Sequence, residues 1–495
     1  MKFPKHSTDM VFLGILILVT VGFWIPTVTL PYWWDSAGFI MQQAHQYALT
    51  NFSPLISSFS DFAHPPLLSI MIALFWRVFG ESLAVSHIVY LPFVLLAVFS
   101  TYFLGKELFQ DRIVGPILGF TTAVLLLFTP VFLAQVGIIY LEIPSTAFAV
   151  TSYLFFLKKR YVLFALSASM MVLMKEYMLF IVLLFLFIYL YRVLKNRKNS
   201  KSISLEKKNI LFQIIPFIVM SAWLLLHKIS TGWWIVMPGR SIGDSGGYSI
   251  NFLQLVSVFS FLFLSQWRVL LLLILLSCLV GSYFFSERIW KRQQRFWSIE
   301  KLPLFFIPIF YLFFFGKTEF LARYSLIVLP FFYLLSLLAL LNVFSVSGLK
   351  KKFSALVVVF VVCLYGFFTQ WDLHRQIKSY HFSPLEENLE YRDIIFLGRQ
   401  VSSYMTQNYH DKAIYSSFPF TYMLSMPYQG FIDDPLRIKE CSQFKKGDRV
   451  DVVIYHLFSP GSPSCLRMLE ELKPQDIKRF NKNGKGVIVA TFTRE

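Results

Sequence analysis

The stretch MVFLGILILVTVGFWIPTVTLPYWWD occupies residues 10–35. Its apolar part, residues 10–30, is long enough to cross about 30 Å of hydrocarbon as a helix. The aromatic triplet at 32–34 is typical of the membrane interface, and Asp35 follows it directly. The basic segment MKFPKH comes first, but the apolar run is too long for a signal-peptide core and no small-residue cleavage site follows. We therefore interpret the run as a retained first membrane helix.

The composition of the whole chain agrees with a membrane protein. Of its 495 residues, 56% are hydrophobic and only 15% are charged, and apolar runs recur along most of the length. The formal net charge of +18 comes from short basic clusters between these runs. Such clusters are typical cytoplasmic flanks of membrane helices, so the charge does not indicate nucleic-acid binding.

The basic clusters predict how the chain crosses the membrane. Clusters at 105–112, 158–160, 191–201, 286–297 and 350–352 should stay in the cytoplasm. The apolar runs 67–79 and 252–264 are short and are predicted to be surface or re-entrant helices. About eleven transmembrane helices remain: 10–30, 86–104, 113–128, 143–157, 161–173, 177–191, 210–226, 269–285, 302–315, 325–342 and 353–368.

The last part of the chain differs in composition. From residue 371 onward it is charged and rich in turns, and its strand-like runs KAIYSS, VDVVIYHLF and KGVIVATF are separated by helix-like stretches. We predict a polytopic α-helical membrane domain, 1–370, with a first outer loop at 31–85, and a small extracytoplasmic α/β domain, 371–495. Cys441 and Cys465 lie in this second domain, and a disulfide and two free thiols are equally compatible with the sequence.

With this threading, several ionisable residues face the outer compartment. Ionisable groups at the membrane boundary often mark function. Asp35 is a candidate general base, although a solvated acid at a helix end fits equally well. His64 precedes two prolines that suit a rigid turn into a helix, and it could hold an acid partner or a donor phosphate, or simply cap the turn. Glu142 lies where an outward helix gives way to an inward one and is a weak signal alone.

Three cations face the same side. Lys175, Arg240 and Arg323 could bind a lipid-borne phosphate, the arginines in bidentate fashion where geometry allows. Glu176 is adjacent to Lys175 and could instead neutralise it. The sequence has no P-loop, HExxH, CxxC or GxSxG motif, so nucleotide chemistry of the soluble kind is not indicated.

Taken in order, these motifs resemble the GT-C membrane glycosyltransferases. The matching segments are YWWDSAGFIMQQAHQYA, HPPLL, YLEIPSTAF, KEY and ARYSLIVLPFF, and they extend over roughly the first 340 residues. The branch that it resembles contains the protein O-mannosyltransferases and the lipid A aminoarabinose transferases. The resemblance implies a GT-C-like fold and inverting transfer of a hexosyl or pentosyl group from a polyprenyl-phosphate donor on the outer face of a bacterial or archaeal cytoplasmic membrane. The acceptor would be a glycolipid, a polysaccharide or a protein.

The resemblance also implies roles for individual residues. It places Asp35 as the catalytic carboxylate and Glu142 as a second loop acid. The donor and its phosphate would be bound by His64, Lys175, Arg240, Arg323 and Tyr324. Many members carry two adjacent acids after the first helix, whereas Ser36 follows Asp35 here, so no cofactor is certain and use of a divalent metal stays open. Two alternatives remain: a lipid or solute transporter, and a non-catalytic scaffold that presents the C-terminal domain.

Overall fold

Helices make up most of the part of the chain that the structure describes. The computed structural model describes residues 7–52, 64–195, 200–234, 252–284, 298–318, 320–343, 349–369, 386–458 and 462–492. Fifteen α-helices in these ranges precede residue 370. They are α1 Ser7–Trp24, α2 Met41–Leu49, α3 Leu67–Phe79, α4 Leu83–Leu108, α5 Val114–Leu127, α6 Pro130–Gly137, α7 Glu142–Leu157, α8 Tyr161–Met174, α9 Leu179–Lys195, α10 Ser200–Thr231, α11 Phe252–Phe259, α12 Arg268–Phe284, α13 Leu302–Lys317, α14 Leu329–Val343 and α15 Leu349–Thr369.

The helices confirm a polytopic membrane fold but not the predicted number of eleven spans. In the described residues, six helical segments are long and apolar enough to cross alone: Thr8–Thr27, Leu83–Leu108, Glu176–Lys195, Asn209–Thr231, Ile299–Lys317 and Lys351–Thr369. Two bent pairs could raise the number to eight. They are Val114–Leu127 with Pro130–Gly137, bent by 65°, and Phe252–Leu264 with Arg268–Val280, bent by 91°.

The shorter helices explain the difference in number. Each of the eleven predicted runs contains a helix, but α7, α8 and α14 have only 16, 14 and 15 residues. At 1.5 Å per residue, such helices reach roughly 21–24 Å, less than the thickness of the hydrocarbon core. The predicted surface helix at 67–79 is a short apolar helix, and the run at 252–264 forms one arm of a sharply bent pair.

Close packing of small residues holds the helices of the membrane domain together. Helices α4 and α5 meet at Gly105 and Gly119, where a Cβ on Gly119 would lie 2.1 Å from the carbonyl oxygen of Tyr102. Only a residue without a side chain permits this approach of two backbones, as is common between membrane helices. At its other end, α4 is capped by Ser82, whose side chain accepts a hydrogen bond from the Val85 amide at 3.3 Å.

The C-terminal part forms the predicted small α/β domain. Its five strands are β1 Ile414–Ser416, β2 Ile438–Glu440, β3 Val452–His456, β4 Asp476–Lys482 and β5 Lys485–Thr491, in the sheet order β2-β1-β3-β5-β4. Strand β1 pairs in parallel with β2 and β3, while β5 is antiparallel to β3 and β4. Helices α16 Tyr391–Tyr409, α17 Phe420–Ser425 and α18 Pro463–Leu472 accompany the sheet. A disulfide joins Cys441 to Cys465, and the predicted boundary at 370/371 lies outside the described residues.

The C-terminal domain packs on the turn that follows α1 and its short 3₁₀ extension. Gln429 is fully buried; its side-chain amide donates to the Ala37 backbone carbonyl at 2.8 Å, and its backbone carbonyl accepts from the Tyr32 amide at 3.2 Å. The Phe418 ring meets Trp34 edge to face, with 4.9 Å between ring centroids. It also lies so close to Gly38 that a Cβ there would be 2.5 Å from the phenyl ring. The two domains therefore share the turn that carries Asp35.

Candidate active site

A buried arginine gathers acids from three distant parts of the chain. Arg323 lies in a 3₁₀ turn, Ala322–Ile327, and is 4% exposed. Its Nε donates to Glu142 Oε1 at 3.1 Å, while its two terminal nitrogens bind the carboxylates of Asp35 and Glu386. The guanidinium lies 4.3 Å from the centre of the Tyr140 ring. One planar cation thus joins α7, the turn after α1 and the start of the C-terminal domain.

Asp35 is the most accessible carboxylate of this cluster. Its side chain is 27% exposed, against 5% for Glu142 and for Glu386. The preceding residue, Trp34, has a φ of 52°, a left-handed conformation that costs free energy for a residue with a Cβ. The Asp35 amide donates to the Tyr140 hydroxyl at 3.2 Å, which helps to fix the turn. Asp35 is therefore the acid of the cluster that solvent reaches most easily.

Lys175 completes the cluster from the end of α8. It is 2% exposed, and its Nζ donates to Glu142 Oε1 at 2.6 Å and to the Tyr177 hydroxyl at 3.1 Å. The ammonium also lies 4.3 Å from the centre of the Tyr324 ring. Glu142 therefore lies between two cations and orients both of them. It is the acid of the cluster with the most cationic partners.

His64 lies beside this cluster but is not part of it. Its Nδ1 is 2.8 Å from Glu176 Oε2, so Glu176 pairs with His64 and not with its neighbour Lys175, which has Glu142 as its carboxylate partner. Among the predicted site residues, the structure therefore brings Asp35, Glu142, Lys175, Arg323 and Tyr324 together and places His64 next to them. Arg240 lies outside the described residues.

Glu386 was not predicted from the sequence. It belongs to the charged tail, which we interpreted as a separate domain, and no local motif marks it. The pKa of Glu386 is raised from 4.5 to about 7, chiefly by burial; Arg323 opposes this rise, and the neighbouring acids Asp35 and Glu142 add to it. The Tyr140 hydroxyl lies 3.2 Å from Glu386 Oε1. In the described part of the chain, the buried Oε2 has no hydrogen-bond partner.

The balance of charge in this cluster is unusual. Three acids, Asp35, Glu142 and Glu386, face two cations, Lys175 and Arg323, so the cluster carries one excess negative charge unless Glu386 holds a proton. A pKa near neutrality means that this proton is readily gained or lost. Among the described residues, no group of three or more His, Cys, Asp or Glu side chains is arranged to hold a metal ion.

Comparison with known proteins identifies the fold. No protein-family model matches the chain, and no curated protein sequence matches it. Among solved structures, it resembles ArnT from Cupriavidus metallidurans bound to undecaprenyl phosphate, with a TM-score of 0.57, 11% identity and 98% coverage of both chains. It also resembles the archaeal oligosaccharyltransferase AglB from Archaeoglobus fulgidus in complex with an inhibitory peptide and a dolichol-phosphate. There the TM-score is 0.56 at 13% identity, over 98% of this chain and 74% of the other.

A second Archaeoglobus fulgidus oligosaccharyltransferase structure, a complex with Zn and sulfate, matches 90% of this chain and 67% of that one, with a TM-score of 0.53 and 15% identity. At these identities the similarity concerns the fold, and the ArnT match extends over almost the full length of both chains, C-terminal domain included. The chain therefore shares its fold with these ArnT and oligosaccharyltransferase structures.

Proposed function

We propose that this protein transfers a sugar from a polyprenyl-phosphate donor to an acceptor at the extracytoplasmic face of the membrane. The observation that carries the proposal is the buried Arg323, which holds Asp35 as an accessible carboxylate among otherwise buried charges. Structures of the same fold are described as bound to undecaprenyl phosphate and to a dolichol-phosphate, which supports a polyprenyl-phosphate donor. The cluster supplies both a base and cations for such a reaction.

The chemistry follows from the accessibility of each group. Asp35 accepts the proton as the acceptor O–H bond breaks, and the acceptor oxygen forms a bond to the anomeric carbon from the side opposite the phosphate. The bond between that carbon and the phosphate oxygen breaks, the configuration inverts, and the phosphate leaves with the electron pair. For an amine acceptor the same carboxylate takes the N–H proton.

The cations stabilise the charge that develops on the departing phosphate. Arg323 uses three of its five N–H donors on carboxylates, and Lys175 uses two of its three on Glu142 and Tyr177. Both positive charges are held in place before the donor arrives, so the site is already preorganised to stabilise a phosphate. Glu142 keeps both cations in place. His64 and Arg240 remain predicted donor contacts.

The proposal is tested with purified protein and a panel of synthetic polyprenyl-phosphate sugars. Release of polyprenyl phosphate together with a glycosylated product, detected by mass spectrometry, is the expected result. Envelope glycolipids and glycoproteins from cells with and without the protein, compared by mass, would identify the sugar and the acceptor. Movement of a lipid or solute across proteoliposomes without any covalent product would contradict the proposal and favour a transporter. Function that persists without Asp35 but requires the C-terminal domain would favour a scaffold.

A further inference from the structure

A cavity of about 210 Å³ lies between helices α2, α3 and α10. Its polar lining comes from Gln43 on α2, His64 at the start of the turn before α3, and His227, Ser230 and Thr231 near the end of α10. Trp223 adds an aromatic face, with its ring 5.0 Å from that of His227. Concave sites with mostly apolar walls and a few placed polar groups are typical of small-molecule binding.

Gln43 places a hydrogen-bond acceptor at the wall of the cavity. The residue is 2% exposed, yet in the described residues its Oε1 has no hydrogen-bond partner. A buried amide oxygen without a donor is costly to keep, and native proteins rarely retain one without a reason. A ligand hydroxyl in the cavity would supply the missing donor.

The imidazoles that face the cavity are held in fixed orientations. His64 is bound through Nδ1 to Glu176 at 2.8 Å, and His227 through Nδ1 to the Trp233 carbonyl at 3.0 Å. Thr231 donates to the backbone carbonyl of His227 at 2.8 Å and so ties the last turn of α10 together. These bonds leave the shape and the polarity of the cavity preset before any ligand enters.

Two structural links join the cavity to the ion cluster: a shared helical segment and a chain of ion pairs. Gln43 follows Asp35 on the same continuous helical segment, and eight residues of helix span roughly 12 Å. His64 binds Glu176, whose chain neighbour Lys175 binds Glu142 in the cluster. One short helical segment and one chain of ion pairs thus join the cavity wall to the cluster.

We propose that this cavity holds the transferred sugar of the donor, and that this sugar is a single uncharged ring. The inference rests on the function proposed above. The volume lies below the roughly 300–1,000 Å³ usual for larger ligands, which suits one ring better than an oligosaccharide. The described lining offers an amide, hydroxyls and imidazoles but no carboxylate, lysine or arginine, so it fits hydroxyl groups and not an ionised sugar.

The kinetic test uses Gln43→Leu and Trp223→Leu, with Gln213→Leu as matched control. Gln213 is also a buried glutamine with unpartnered amide atoms, but it lies on α10 away from the cavity. We expect at least a tenfold rise in donor KM for the two cavity variants, with kcat less affected and no change for the control. The melting temperature of Gln43→Leu should not fall, since an unsatisfied polar atom is removed. An unchanged donor KM would overturn the inference.

The preference for one donor sugar over another provides a second test of the inference. Polyprenyl phosphates that carry a neutral hexose should be used in preference to those that carry a disaccharide or a cationic amino sugar. Turnover of the disaccharide or amino-sugar donor at a kcat/KM equal to that of the hexose would overturn the inference while leaving the proposed function intact. Failure of every donor with wild-type protein would instead contradict the proposed function.

A binding assay that needs no turnover separates these failures. Ser230→Cys introduces a thiol at the cavity, and its rate of reaction with a maleimide is compared with that of wild-type protein, in which Cys278 and Cys363 give the background. Neutral methyl hexosides at millimolar concentration should slow this labelling several-fold, whereas polyprenyl phosphate without a sugar should not. Protection by bare polyprenyl phosphate would show that the cavity holds the lipid, and no protection by any hexoside would also reject the sugar site.

Discussion

Two clusters of charge, one near each end of the first membrane helix, differ in balance and in burial. At the cytoplasmic end predicted by the threading, Lys106 binds Asp9, which also accepts from the Tyr102 hydroxyl, and the lysine side chain is 37% exposed. At the other end, three acids face two cations, and all but Asp35 are nearly inaccessible. A balanced and partly exposed pair contributes little to stability. A buried, unbalanced cluster is costly, and its retention indicates a function.

Removing one cation from each cluster should give the largest contrast. Arg323→Leu leaves Asp35, Glu142 and Glu386 without their shared partner, and we expect a loss of about 3–5 kcal/mol of stability together with loss of transfer activity. Lys106→Leu should cost below about 1 kcal/mol and leave transfer unchanged. Thermal unfolding in detergent, followed by size-exclusion chromatography, compares the two. Equal destabilisation by both variants would contradict the distinction between the clusters.

A subtler change at Asp35 should separate activity from stability. Asp35→Asn keeps the shape of the side chain but removes the base, so we expect kcat to fall by about 10²–10⁴-fold with the fold retained. The matched control is Asp111→Asn. Asp111 accepts hydrogen bonds from the amides of Ile113 and Val114 at the predicted cytoplasmic side, and asparagine caps a helix about as well as aspartate does.

Transfer rates with a polyprenyl-phosphate sugar at saturating concentration decide the outcome for this pair of variants. Full activity of Asp35→Asn would remove Asp35 from the role of base. A matching loss in Asp111→Asn would show that the assay reports folding and not chemistry.

The proton on Glu386 should make the stability of the Arg323 cluster sensitive to pH. The pKa of Glu386 is raised from 4.5 to about 7 in the folded protein, so between these values the folded state binds more protons than the unfolded state. This contribution to stability is therefore present below pH about 4.5 and is lost as pH rises to about 7, with a slope of at most about 1.4 kcal/mol per pH unit. Glu386→Gln should flatten this part of the stability profile.

The comparison that isolates this effect is unfolding of wild-type protein and Glu386→Gln in parallel at several pH values. Other groups titrate in the same range, and the difference between the two profiles removes their contribution. Identical profiles would contradict a shifted Glu386 and indicate that Arg323 keeps it ionised throughout.

The sequence could predict the charged site residues of the membrane domain because the threading puts the segments that carry them on the same side of the membrane. The threading puts the segments that carry Asp35, Glu142, Lys175 and Arg323 on one side of the membrane, and in the structure these side chains contact one another. A common side of the membrane does not determine which cation each acid binds, and Glu176 in fact pairs with His64. The roles of these residues in catalysis remain predictions.

Other features depend on contacts that no local pattern encodes. Glu386 enters the cluster through docking of the C-terminal domain, so neither its spacing nor its neighbours in sequence mark it. The prediction of eleven spans used only the lengths of the apolar runs. These lengths do not show that helices α7, α8 and α14 are short, or that α5 and α6 are bent by 65° relative to each other. Strand β4 was missed although Asn483-Gly484, both with positive φ, form the kind of two-residue turn that is typical of a hairpin.

The smallest predicted effect concerns how the C-terminal domain holds the Asp35 turn. Gln429→Ala removes the 2.8 Å hydrogen bond to the Ala37 carbonyl and should cost about 1 kcal/mol of stability. Because Trp34 holds a strained left-handed conformation one residue before Asp35, loosening this contact should let the turn relax and lower kcat by up to about tenfold, with donor KM unchanged. Gln407→Ala, at an exposed position of α16, is the control. A loss of stability in Gln429→Ala with unchanged kcat would show that the C-terminal domain only stabilises the fold. A fall in kcat that Gln407→Ala does not share would show that the domain is part of the active site.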